Sequence, residues 1–274
     1  MPELARLSIN QVTVLPQWTL RQAVEGLARH GVTAMSVWRD RLHETTLADA
    51  KLCIEDHGLE VSGLCFAGLI SSPDPQAAGA ALADVRRAID EAAALGARCL
   101  VLLSGGLEGG EKDLVRVRGR ALDRLSTLTD HARGCGVTIA LEPLHPMSCA
   151  TRSVLATLKL ANDWCDALGA EDVFAIALDT YVCWWDPDLE TQIKRAGSRI
   201  AAFHVSDWLT DTKDLRLDRG MIGDGVIDIP AIRRMVEAVG YQGRIEVEVL
   251  STNWWKRDPD EVVSIIKERF VTAV

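Results

Sequence analysis

Short apolar runs rich in β-branched residues alternate along the chain with longer amphipathic stretches. Eight of the runs predict strands, at 7–14, 33–38, 59–66, 98–103, 137–142, 173–179, 200–205 and 244–249. Several are almost continuously apolar, as expected of parallel strands covered on both faces. Residues 82–95 place Val85, Ala88, Ile89 and Ala92 on one helical face, with Gly96 as a C-cap. Residues 19–30 predict a helix capped by Thr19 and ending at His30-Gly31. Residues 259–272 begin with Pro259 and present Val262, Val263 and Ile266 as an apolar side. SSPDPQAAG at 71–79 and GGLEGGEKD at 105–113 read as loops, and no low-complexity linker divides the chain. The pattern predicts an α/β protein with one domain over residues 1–274, a single (β/α)8 TIM barrel of parallel strands and outer helices. An open doubly wound sheet is the alternative. It would carry a Gly-rich phosphate turn after its first strand, and QVTVLPQWT offers none.

The length of 274 residues suits one such barrel. Hydrophobic residues make up 48%, enough for a large core. The net charge of -9, with no basic cluster, argues against nucleic acid as a partner. Seven scattered cysteines without a CxxC pair read as reduced thiols in a cytoplasmic protein, most of them small core residues. Neither a secretory leader nor an apolar run of membrane-spanning length is visible, so no membrane association is expected.

Charge enters the apolar runs at their C-terminal ends: Glu142 in LEPLHP, Asp179 in LDTYVCWWDPD, His204 in FHVSDW and Glu248 in RIEVEVLS. A buried carboxylate is costly unless paired or bound to a metal. Barrel enzymes place their sites at these strand ends. The mixed O/N set of Glu142, Asp179, His204 and Glu248 suits one octahedral divalent ion with open positions. Manganese is the first expectation, with cobalt, magnesium and zinc as alternatives. Glu246 lies two residues before Glu248 on the same strand face, and so deeper. It is expected to partner a buried basic side chain. His145, between Pro143 and Pro146, is held in a stiffened loop beside Glu142 and is a candidate acid/base. His30 and His57 read as helix-end residues, and His43 and His131 as exposed.

Six of the eight tryptophans, Trp38, Trp184, Trp185, Trp208, Trp254 and Trp255, fall just beyond predicted strand ends. Indoles lining a barrel mouth exclude water and offer flat apolar faces to a sugar ring. The same surfaces would serve a subunit interface, which leaves a homo-oligomer open. Trp38, Trp184, Trp185, Trp208 and Trp254, together with Asp207 and Arg219, are the expected substrate-binding residues. In the loop DRGMIGDGVIDIP at 218–230, Arg219 and Asp224 are placed to reach a polar ligand, but neither Gly-rich phosphate pattern is present.

The strings LEPLHPM, LDTYVCWWDPD, AFHVSDW, RGMIGDGVID and EVEVLS, in this order, resemble the sugar phosphate isomerase/epimerase group of xylose isomerase-like TIM barrels. The resemblance implies a divalent metal, often manganese, on Glu142, Asp179, His204 and Glu248. It implies that Glu142 and Glu248 exchange protons with the carbon next to a carbonyl of a small sugar or keto-sugar substrate. Many members read DxxH after the sixth strand, where this chain has Asp179-Thr180-Tyr181-Val182. That departure weakens ordinary ketose epimerisation. It gives weight to a lyase that eliminates the group β to the carbonyl of a keto-sugar or 3-keto-glycoside, with His145 as acid or base. A metal-dependent endonuclease on the same barrel would need more histidines and a basic face. A non-enzymatic carbohydrate binder would not need the four-ligand set.

Overall fold

The structure is a computed structural model that describes residues 2–274. All eight expected strands form: β1 Leu7–Asn10, β2 Ala34–Trp38, β3 Glu60–Gly68, β4 Leu100–Leu103, β5 Ile139–Leu141, β6 Phe174–Asp179, β7 Ile200–Val205 and β8 Ile245–Val247. They pair in sequence order, every pair parallel, and β8 closes on β1 to complete a TIM barrel. Eight main helices surround it: α1 Leu20–Arg29, α2 Leu47–Asp56, α3 Pro75–Leu95, α4 Leu114–Ser126, α5 Leu158–Leu168, α6 Leu189–Ala196, α7 Ile229–Ala238 and α8 Pro259–Ala273.

Local chemistry sets the helix ends. Thr19 and Gln22 form the capping box that starts α1. Gly96 ends α3 with φ 62°, a left-handed conformation that suits glycine. The start of α3 differs from expectation. The segment read as a loop at 71–79 enters the helix at Pro75, because Asp74 accepts a hydrogen bond from the Ala77 N–H and proline fits the first helical turn. Several strands are shorter than their apolar runs. β1 gives way to a helical turn at Gln11–Val14, and β5 and β8 stop before Glu142 and Glu248.

The larger core lies between strands and helices and includes Ile9, Met35, Ile89, Phe203, Val263 and Phe270. The barrel interior is narrower and uses small side chains such as Ala140, Ala177 and Ala202. It also holds a polar column. Ser8 Oγ lies 2.7 Å from Ser62 Oγ, and Ser62 donates to Glu246 at 2.7 Å. Asn10 donates to Glu246 at 2.7 Å and to Glu248 at 3.1 Å. Each polar side chain of this column thus has a partner, as burial requires. Five of the seven cysteines are buried. Among the described residues no helix is long and apolar enough to cross a membrane.

Candidate active site

Strand register brings the acidic and imidazole side chains together. Asp179 pairs with His204 across β6 and β7, and His204 pairs with Glu246 across β7 and β8. Glu142 and Glu248 follow β5 and β8 directly, at the same end of the barrel. All five side chains are buried. Oxygens of Glu142 and Glu248 and a nitrogen of His204 lie within 4.8 Å of one another, the spacing of ligands around one ion. His204 Nδ1 is 3.4 Å from Glu142 Oε1 and 3.9 Å from Glu248 Oε2. This nitrogen is buried and makes no hydrogen bond.

Glu246 has a distinct place. Its Oε1 lies 3.4 Å from His204 Nε2, the far side of the ring. The expected basic partner of Glu246 is therefore the histidine. A carboxylate behind the imidazole fixes the ring and leaves the other nitrogen facing Glu142 and Glu248. Burial pushes the His204 pKa down, but Glu246, Glu142 and Glu248 outweigh it and hold the ring up at about 10. Burial and the Glu248 charge raise Asp179, against the pull of Arg219 and His204.

Asp179 is not part of the closest group. Its Oδ1 accepts from the Tyr181 N–H at 2.9 Å, and its Oδ2 accepts from Arg219 Nη1, also at 2.9 Å. The same Nη1 donates to Glu248 Oε2 at 3.1 Å. Arg219 thus ties two of the four expected ligands, and its guanidinium stands 4.5 Å above the Tyr181 ring. Four buried carboxylates (Glu142, Asp179, Glu246 and Glu248) face one guanidinium and one imidazole. With the imidazole protonated, four minus two leaves two negative charges, and with it neutral, as a ligand nitrogen must be, four minus one leaves three; either excess favours a divalent cation. The donor set and the orphaned Nδ1 both fit such an ion.

Two cavities approach this group. One of about 280 Å³ opens at the N-terminal end of the barrel and reaches Glu246 past Ser62 and Tyr241. The other, about 220 Å³, lies at the C-terminal mouth and is lined by His145, Arg152, Tyr181, Val182 and Arg219 among others. His145 packs 5.5 Å from Trp185 and 5.4 Å from Trp208, ring centre to ring centre. Its Nδ1 accepts from the Met147 N–H at 3.2 Å, so in the neutral ring the proton sits on Nε2. Burial lowers its pKa and favours that neutral form. Trp184 and Tyr181 complete the aromatic group around Trp208. Trp38 reaches the site through Asn10, to which its indole donates at 2.6 Å.

Two expected substrate contacts lie elsewhere. Trp254 turns into the layer between barrel and helices, flanked by Arg257 at 4.7 Å and Arg269 at 5.8 Å. Its neighbour Trp255 takes the mouth side and donates to the Val12 carbonyl at 2.8 Å. Asp207 is buried under the 218–230 loop, where its carboxylate accepts from the N–H groups of Trp208, Gly223, Gly225 and Ile227 at 2.8–3.1 Å. A Cβ on Gly225 would collide with that carboxylate. Asp207 holds the loop that carries Arg219, leaving no acceptor for a substrate hydroxyl. Asp207→Ala leaves those buried donors unpaired and is expected to cost on the order of 3 kcal/mol in urea unfolding. Asp224, from the same loop, pairs with Arg269 on α8 and faces away from the cleft.

The sequence profile of the xylose isomerase-like TIM barrel family matches residues 24–268. The chain belongs to this family. An inosose isomerase of Bacillus velezensis is 22% identical over 96% of this chain and 95% of its own. A crystal structure of a protein from Sinorhizobium meliloti 1021 is 45% identical, covers 99% of both chains and superposes with a TM-score of 0.96. The IOLI protein, solved with a zinc atom, is 20% identical over 98% of both chains, with a TM-score of 0.86. For this barrel the functionally placed residues that sequence reading missed are Asn10, which bridges Trp38 to Glu246 and Glu248, and Arg152 in the cleft wall.

Proposed function

We propose that the protein is a divalent-metal-dependent isomerase or epimerase of a ketose or keto-sugar. The observation that carries this reading is the pair of buried carboxylates, Glu142 and Glu248, on either side of the unpartnered His204 Nδ1. The names of the inosose isomerase relative and of the zinc-holding neighbour support it. Glu142, Asp179, His204 and Glu248 would hold the ion, manganese first, with cobalt, magnesium and zinc as alternatives. Bound there, the ion supplies Lewis acidity toward a carbonyl oxygen. One glutamate then removes the proton from the carbon next to the carbonyl, and the other delivers a proton to the opposite face or to the neighbouring carbon. Glu246 keeps the His204 ring in place, and Arg219 fixes the carboxylates of Asp179 and Glu248. Trp185 and Trp208 shield the cleft from water.

A second reading, β-elimination from a keto-sugar or 3-keto-glycoside, rests on His145. Its Nε2 proton belongs to a side chain lining the cleft together with Val182, which stands where the DxxH pattern of the group this chain resembles has histidine. That proton would go to the leaving group. The test offers ketoses and 3-keto-glycosides with manganese in heavy water and follows them by NMR. Interconverted sugars with carbon-bound deuterium support the isomerase. Release of an aglycone, lost by about 10²-fold or more in His145→Ala, supports the lyase. Absence of product and of exchange in both panels overturns proton abstraction itself.

A further inference from the structure

The cleft at the mouth contains three arginines: Arg152, Arg216 and Arg219. Arg219 is occupied by Asp179 and Glu248. The other two are not occupied. Among the described residues no group accepts a hydrogen bond from the Arg152 or Arg216 guanidinium, and no carboxylate lies within 4.0 Å of either.

Arg152 is half-buried, with its guanidinium 5.7 Å above the Phe66 ring. Burial and the neighbouring charges of Arg216 and Arg219 press its pKa down, against Glu142 and Glu248. A partly desolvated cation without a counter-ion is unfavourable unless something it binds offsets the cost. The one acid in the cleft lining, Asp214, turns back on its own loop and accepts from the N–H groups of Arg216 and Leu217 at 2.8 and 3.0 Å. An otherwise acidic chain thus presents two free guanidinium groups, half-buried Arg152 and exposed Arg216, in the cavity whose wall includes Arg219, the partner of the buried Asp179 and Glu248.

We propose that the substrate carries an anionic group, a carboxylate or a phosphate, which Arg152 and Arg216 bind at the cleft wall while its carbonyl end reaches Glu142, His204 and Glu248. The planar guanidinium fork matches both anions, and such charge-assisted pairs are stronger than neutral hydrogen bonds. The position of the carbonyl end rests on the isomerase reading, whereas anion binding does not.

Calorimetric titration of the metal-loaded protein with fructose, fructose 6-phosphate, glucuronate and inorganic phosphate separates the two. The sugar phosphate or the sugar acid is expected to bind at least ten-fold more tightly than fructose, and whichever leads identifies the anion. Arg152→Gln and Arg216→Gln are each expected to remove most of that preference. Two variants keep the test available should one fail to fold. Equal affinity for fructose and both charged sugars overturns the proposal. So does a preference unchanged in both variants, which would mean the anion sits on the metal. Deuterium exchange into a neutral ketose without any anion preference would sink the subsite and leave the isomerase standing. Anion preference without exchange would do the reverse.

Discussion

Glu142→Gln and Glu248→Gln are each expected to lower turnover on the order of 10³-fold at saturating metal, within the range typical of a lost general acid or base. Glutamine keeps the shape and a carbonyl oxygen, but it cannot take up a proton at neutral pH and is a weaker ligand. Both changes should therefore also lower the bound metal, measured by elemental analysis. Glu246→Gln provides the contrast. Glu246 is held by Asn10 and Ser62 and faces the far side of the His204 ring, so its loss acts through ring orientation. About 10- to 100-fold in metal affinity is expected there, recoverable by adding metal. Turnover within ten-fold of the parent in either Glu142→Gln or Glu248→Gln would remove that residue from the proton-transfer pair.

The barrel and its carboxylates were legible because both follow from burial. Parallel strands covered by helices must be apolar along their length, so charge at their ends stands out, as Glu142, Asp179 and Glu248 do. Strand register then brings Asp179 beside His204. Other features depend on contacts distant in sequence. Trp254 and Trp255 are neighbours on one short helical turn, and nothing in the sequence says which faces the mouth. Asp207 looks like any polar residue after a strand until the 218–230 loop is seen folding over its carboxylate. Asn10 and Ser62 are ordinary strand residues in sequence; only barrel closure between β1 and β8 makes them partners of Glu246. Arg152 lies in a loop without a motif, and its approach to Phe66 is a contact of the fold. The start of α3 was hidden because Asp-Pro marks a turn and a helix start equally well.

Arg219→Met, measured in chelator, is expected to lower stability to urea by about 3–5 kcal/mol, the cost of leaving buried carboxylates uncompensated. Methionine conserves much of the stem volume and removes the charge, so the packing loss is the smaller part. Asp179 is fully buried and has Arg219 as its cationic hydrogen-bond partner. Glu248 keeps only Asn10 and the more distant His204. Returning a divalent metal should then stabilise the variant more than the parent. In the parent Arg219 already neutralises the carboxylates that the ion would bind, and in the variant the ion meets them unopposed. A ligand at one hundred times its dissociation constant adds about 2.7 kcal/mol, so even a ten-fold difference in affinity is readable as a shift in the unfolding midpoint. A variant within about 1 kcal/mol of the parent in chelator, the scale of an exposed ion pair, would show that Asp179 and Glu248 do not depend on Arg219. Equal metal stabilisation in both proteins would show that arginine and ion do not share those oxygens.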